Sequence, residues 1–224
     1  MPRIWTHYDA IRLRRRVEKD LEGHWQDVVQ QIQSHPETKR FGRADFPGAF
    51  GYVEGLYPRI APVVSATILY KNENTAFCKR IGIPREAGGA FLTRASAILL
   101  CYCSLPDDAV LVHELLHLAS RLLGSGFSSE SVEEDFAYAK SIPYLKSRSY
   151  PDEWIRTSFL MPYYHGLELH DRAGRLGVQP RRLSLPDKEE ARALATLKCQ
   201  AMIERAMEDG DGEARTGADR FDLL

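Results

Sequence analysis

No stretch of this chain approaches the roughly 18 consecutive apolar residues that a membrane-spanning helix needs, so no membrane partner is expected. The opening residues, MPRIWTHYDAIRLRRR, carry charge with no apolar run behind it, and a secretory signal is not expected either. Net charge is nearly absent: 30 Lys and Arg stand against 31 Asp and Glu. Without a global field, neither nucleic acid nor a lipid surface is indicated as a partner. Cysteine is scarce, with only Cys78, Cys101, Cys103 and Cys199. Cys101 and Cys103 are two apart in an apolar run, which puts them on one side of a strand and not at zinc-pair spacing. They read as free, buried thiols in a reducing compartment, which fits a cytoplasmic location. What remains is ordinary: 224 residues, 44% apolar and 27% charged, enough for one domain with a sizeable core.

The expected fold class is α+β. Residues 8–34 read as an amphipathic helix, with Leu13, Val17, Leu21, Trp25, Val28 and Ile32 at three- and four-residue steps. Arg12, Arg14, Arg15, Arg16 and Lys19 surround its first turns, diluted by Glu18, Asp20 and Glu22, and read as a solvated face. Residues 35–61 are rich in glycine, proline and aromatics and read as an ordered, non-repetitive loop. VVSATILY (63–70) reads as a strand, followed by a polar turn at KNEN. GGAFL (88–92) and SAILLCYC (96–103) read as two more strands, the last apolar enough to be covered on both faces.

The letters SLPD at 104–107 open a helix, with Ser104 as N-cap, Pro106 in the first turn and Asp107 placed for a capping box; Gly124 stops it. A second helix is expected from about 128–131 to Lys140, and a third from Asp152, interrupted at Pro162. A last helix over 185–208 is capped by a second SLPD at 184–187. The expected organisation is one domain: an N-terminal amphipathic helix (1–34), a sheet with the functional core (62–140), a helical C-terminal part (141–208) and a mobile acidic tail (209–224).

The chemistry concentrates in VLVHELLHLASRLLG, residues 110–124. At about 100° per residue, with His113 at zero, His117 falls near 40°, Ser120 near 340°, Arg121 near 80° and Glu114 near 100°. Leu111, Leu115, Leu118 and Leu122 occupy the opposite side, and Val112, Leu116, Ala119 and Leu123 a second apolar flank. A packed helix with one narrow polar strip holding two imidazoles and a carboxylate suits neither a solvated helix nor a plain core helix. Imidazoles at i and i+4 lie one above the other and can share one Zn²⁺. Glu114 is offset too far round the axis to join them and is a candidate general base for a metal-held water.

Two histidines need a third protein ligand. A third histidine six residues after the second is excluded, because Ser120 and Leu123 occupy the positions that the extended motif gives to glycine and histidine. The following SSESVEEDFAYAK offers Glu130, Glu133, Glu134 and Asp135. Val132, Phe136 and Ala139 share an apolar side, Glu134 lies opposite it, and Glu133 shares a solvated side with Lys140. Glu134 is therefore the favoured ligand, with Glu133 and Glu130 in reserve. Its alternative role is a capping box with Ser131.

H-E-L-L-H, a short connection and then E-D-F-A-Y resemble the gluzincin metallopeptidases. The E-x-F-A portion is similar to the zinc-glutamate segment of the anthrax lethal factor-like group and of Pro-Pro endopeptidases, and small phage-borne or bacterial metallopeptidases are of the same kind. The resemblance covers about residues 88–140. It implies a zincin-like fold, with a twisted mixed sheet over an active-site helix and a glutamate helix below. It also implies zinc on His113, His117 and Glu134, with Glu114 as base. There are departures. Tyr138 stands where the group has an acid four residues after the ligand, and its hydroxyl is the expected partner of the non-ligating nitrogen of His113. Phe127 stands where lethal factor-like proteins have tyrosine, which leaves the oxyanion-stabilising group among Tyr144, Tyr163, Tyr164, His165 and His170.

The expected activity is zinc-dependent hydrolysis of a peptide or protein substrate, added as a strand along 88–93 or 96–103. Seven acids against two bases between 104 and 140 suggest basic substrates. The rival is a zincin-fold structural protein, for instance a virion component, that holds zinc without turnover and engages an assembly partner through its basic first helix and acidic tail. A third reading is a regulatory protease with one intracellular target.

Overall fold

The structure, a computed structural model, describes residues 25–81, 83, 89–92, 97–101, 105–123 and 129–212. The basic turns of the first helix, Cys103, Ser104, Gly124, Phe127 and the acidic tail beyond 212 lie outside the described residues.

The fold is α+β, mostly helical, and the described residues form one four-stranded mixed sheet in the order β1-β2-β4-β3. The strands are β1 (Lys39–Phe41), β2 (Ile68–Asn72), β3 (Gly89–Leu92) and β4 (Ala97–Cys101). β1 runs antiparallel to β2, β2 parallel to β4, and β3 antiparallel to β4, with Ala90 opposite Leu99. All five residues of β4 are buried, as its unbroken apolar run requires of a strand covered on both faces. Ile98 and Leu100 face the main core; Ala97, Leu99 and Cys101 face a smaller core under α1 (Trp25–Ser34) and α4 (Thr75–Arg80). That second core takes Val28 and Ile32 from the amphipathic stripe and Phe77, Cys78 and Ile81 from α4. Cys78, Cys101 and Cys199 are buried thiols outside any disulfide, as expected of thiols used as small apolar groups.

Residues 35–61 are not a loop. They supply β1, a helix α2 (Pro47–Leu56) and the approach to a short α3 (Ala61–Ser65). Proline starts both helices, and Ala49, Phe50 and Val53 of α2 are buried, so burial of the aromatic-rich face outweighs the poor helix propensity of glycine. The strand expected at 63–70 begins later, at Ile68, and extends through Lys71 and Asn72 of KNEN. Asn74 then caps α4 by accepting from Phe77 N at 2.9 Å. The sheet thus recruits residues well before 62.

The main core is centred on α5 (Asp107–Leu122), which is buried without interruption from Ala109 to Ser120. Each leucine it buries fully contributes roughly 1.5–3 kcal/mol. Its N-cap position is Pro106, with Asp107 and Asp108 in the first turn, where carboxylates offset the helix dipole. Asp107 accepts from Lys71 Nζ at 2.6 Å, tying the helix to β2. After it come α6 (Glu130–Ser147), then a turn at Asp152–Trp154 and a π-helical stretch Ile155–Leu160 leading into α7 (Met161–Arg175), and finally α8 (Leu185–Gly212). α6 runs well past Lys140 and carries Pro143 inside it. Pro162 falls in the first turn of α7. The π-helical stretch before it accommodates the missing proline N–H without ending the helical path. Ser184 caps α8 as expected, accepting from Asp187 N. Arg172 donates to Asp187 (2.8 Å) and Glu190 (2.7 Å), pinning α7 on α8.

Candidate metal centre

Three polar side chains from two helices converge inside the main core. His113 and His117 project from one side of α5, and Glu134 reaches them from the first turns of α6. The ring nitrogens His113 Nε2 and His117 Nε2 are 3.1 Å apart. Glu134 Oε2 lies 3.3 Å from the first and 3.5 Å from the second. A tetrahedral ion with bonds of about 2.0–2.1 Å sets its ligand atoms roughly 3.3–3.4 Å apart. The three separations therefore match the edges of one such coordination face, and this His-His-Glu group can hold a metal ion.

The group is sealed from solvent: His113 is 8% exposed, Glu114 2%, His117 1% and Glu134 0%. Burial works against charge at each position, so the charges must be compensated locally. For Glu134 burial opposes ionisation, but His117 and His113 outweigh it and hold the carboxyl well below the usual carboxylate range. For His117 burial again opposes charge, yet the Glu134 and Glu133 carboxylates push it up to about 9.

Glu134 reaches the site for a reason opposite to the one its sequence suggests. The apolar side formed by Val132, Phe136 and Ala139 is not the core face; Val132 is 42% exposed. The buried face of α6 runs through Glu134, Ala137, Tyr138, Ser141, Ile142 and Leu145, so the carboxylate sits on the core side itself. Ser129, not Ser131, is the N-cap, accepting from Val132 N, which leaves Glu134 outside any capping box. Glu130 opens α6.

Glu133, expected on a solvated side, is buried, and its Oε1 lies 3.2 Å from His117 Nδ1 and 3.3 Å from Arg121 Nε. The signal for it was the helix phase: His117 and Arg121 share the polar strip of α5, and an acid had to balance them. Tyr138 meets His113 through its ring, with centroids 4.4 Å apart and planes tilted by 46°. The expected hydroxyl contact is not formed, since His113 Nδ1 has no hydrogen-bond partner among the described residues.

Glu114 follows His113 and lies under the edge strand β3. A Cβ on Gly89 would stand 2.9 Å from Val110 Cγ1 and 3.3 Å from Glu114 Cγ, so only glycine lets the strand pass this close to the helix. A glycine inside a strand pattern signals such an approach, and sequence reasoning gave Gly89 no such role. Of the oxyanion candidates, Tyr144 donates to Asp108 at 3.2 Å and Tyr164 to Asp135 at 2.6 Å. Tyr163 packs its ring on Tyr138 at 5.3 Å. Burial pushes the His165 imidazole below its ordinary pKa. His170 lies further along α7.

The site thus defines a class at one level: a buried two-histidine, one-carboxylate group able to bind a metal ion, with the Glu114 carboxylate next to the first histidine on α5. Among known proteins, the chain matches no family model, no curated protein and no solved structure. Among the described residues no helix is long and apolar enough to cross a membrane.

Proposed function

We propose that the chain is a zinc-dependent metallopeptidase of the gluzincin kind. The observation that carries this reading is the convergence of His113 Nε2, His117 Nε2 and Glu134 Oε2 at tetrahedral ligand spacings, with Glu114 next along the helix. Two imidazoles and a carboxylate are the donor set of a catalytic zinc site. The mixed sheet with α5 beneath it and α6 supplying the carboxylate also supports a zincin-like reading.

His113, His117 and Glu134 would hold the ion. A bound zinc ion lowers the pKa of a coordinated water to about 7 and polarises a carbonyl. Glu114 handles the proton: its carboxylate accepts one from the attacking water as the C–O bond forms and releases it to the departing amine as the C–N bond breaks. Burial of Glu114 at the site keeps bulk water from competing for that proton. The substrate is a peptide or protein chain, taken along the edge of the sheet beside β3.

A second reading has its own support. The near-complete burial of all four polar groups suits a closed structural site, as in a zincin-fold assembly protein. Glu114→Gln separates the two. In a peptidase it abolishes cleavage of a peptide library by the zinc-loaded chain while zinc stays bound. In a structural protein the wild-type chain cleaves nothing, and the substitution leaves assembly intact.

A further inference from the structure

We infer that Glu133 is a positioning residue for the metal centre, one that grips His117 from behind and couples it to Arg121. The assignment rests on the metal-binding reading above.

His117 is engaged at both ring nitrogens. Nε2 faces His113 and Glu134, while Nδ1 lies 3.2 Å from Glu133 Oε1. An imidazole offers a lone pair at Nε2 only when its proton sits on Nδ1, and a carboxylate oxygen at that distance fixes this tautomer. The negative charge behind the ring also strengthens Nε2 as a ligand. Glu133 stands beside Glu134 in the chain, and both are buried. Two adjacent buried carboxylates repel, and Arg121, whose Nε donates to Glu133 Oε1 at 3.3 Å, offsets that repulsion. Arg121, Glu133 and His117 thus form a line running from the C-terminal end of α5, across to α6 and back into the site.

His113 is held differently. Its Nδ1 has no hydrogen-bond partner among the described residues. Its ring is set by packing against Tyr138 at 4.4 Å and Phe159 at 6.1 Å. One imidazole is aimed by charge and hydrogen bonding, the other by aromatic packing. A change at Glu133 therefore acts on one ligand and leaves the seat of the other in place.

The test is a cobalt(II) titration of the metal-free, full-length chain, read by visible absorbance, with thermal melting of the same samples before metal is added. The wild-type chain is expected to bind one cobalt. Glu133→Ala is expected to weaken binding by about 10- to 100-fold and to alter the cobalt absorption bands. Its metal-free melting temperature should fall, because His117 and Arg121 lose their shared carboxylate, so every chain is titrated well below its melting temperature. Glu133→Gln, whose amide oxygen still accepts from Nδ1–H, should recover part of the affinity. Wild-type affinity and spectrum in both variants would overturn the assignment. Should the alanine variant fail to fold, the glutamine variant decides: weaker binding than wild type upholds the role, and equal binding refutes it. A wild-type chain that takes up no cobalt would overturn the metal reading itself.

Discussion

His113 Nε2 and His117 Nε2 point at each other across 3.1 Å inside a sealed core. Two lone pairs at that distance repel unless a proton or a cation lies between them, and Glu134 Oε2 adds a negative charge to the same spot. A bound cation satisfies all three atoms at once.

Metal removal should therefore loosen the fold. A ligand present at about 100 times its Kd stabilises the state that binds it by about 2.7 kcal/mol. For a chain of this size that corresponds to a rise of roughly 5–10 °C in Tm. Melting curves with excess zinc and with a strong chelator should differ by this order, and the difference should vanish in Glu134→Ala.

At Gly89 the strand β3 passes close against α5. Gly89→Ala puts a methyl against Val110 and Glu114, and overpacking of this kind costs about 1–3 kcal/mol. Because the added atom presses on Glu114 and not on the metal ligands, peptide cleavage should fall while zinc content is kept. Denaturant unfolding and zinc analysis of the variant check both halves.

Tyr138 supports His113 through its ring. Tyr138→Phe keeps that ring and should leave cobalt affinity unchanged, whereas Tyr138→Ala removes the support and should weaken it. A titration in which the phenylalanine variant behaves like the alanine one would return the hydroxyl to the central role.

The core makes a simpler demand. Leu111 is fully buried on α5, whereas Leu197 on α8 is 63% exposed. Leu111→Ala should cost about 2–5 kcal/mol, and Leu197→Ala should stay within about 0.5 kcal/mol, both read from chemical denaturation midpoints.

Much of this arrangement was legible in the sequence because helix phase is a rigid constraint. Residues four apart on a helix must share a face, so HELLH placed two imidazoles together before any fold was known. The apolar run of β4 foretold its burial on both sides. Where reading failed, packing overrode a local pattern. A stretch rich in glycine and proline became α2, because Phe50 and Val53 could be buried against α5. The short α4 went unread behind its polar cap at Asn74. On α6 the side that looks most apolar is only partly covered, with Val132 exposed and Phe136 half-buried, while the side bearing Glu133 and Glu134 faces in. No periodicity argument finds this, since the inward face of α6 is polar at the position where α5 is polar. The two irregularities cancel only in three dimensions.

The most direct measurement is metal content by elemental analysis of the purified chain and of His117→Ala and Glu134→Ala, each dialysed after zinc loading. One zinc per wild-type chain and essentially none in either variant is the expected result. A wild-type chain that retains no zinc, or variants that retain it as well as wild type, would contradict it.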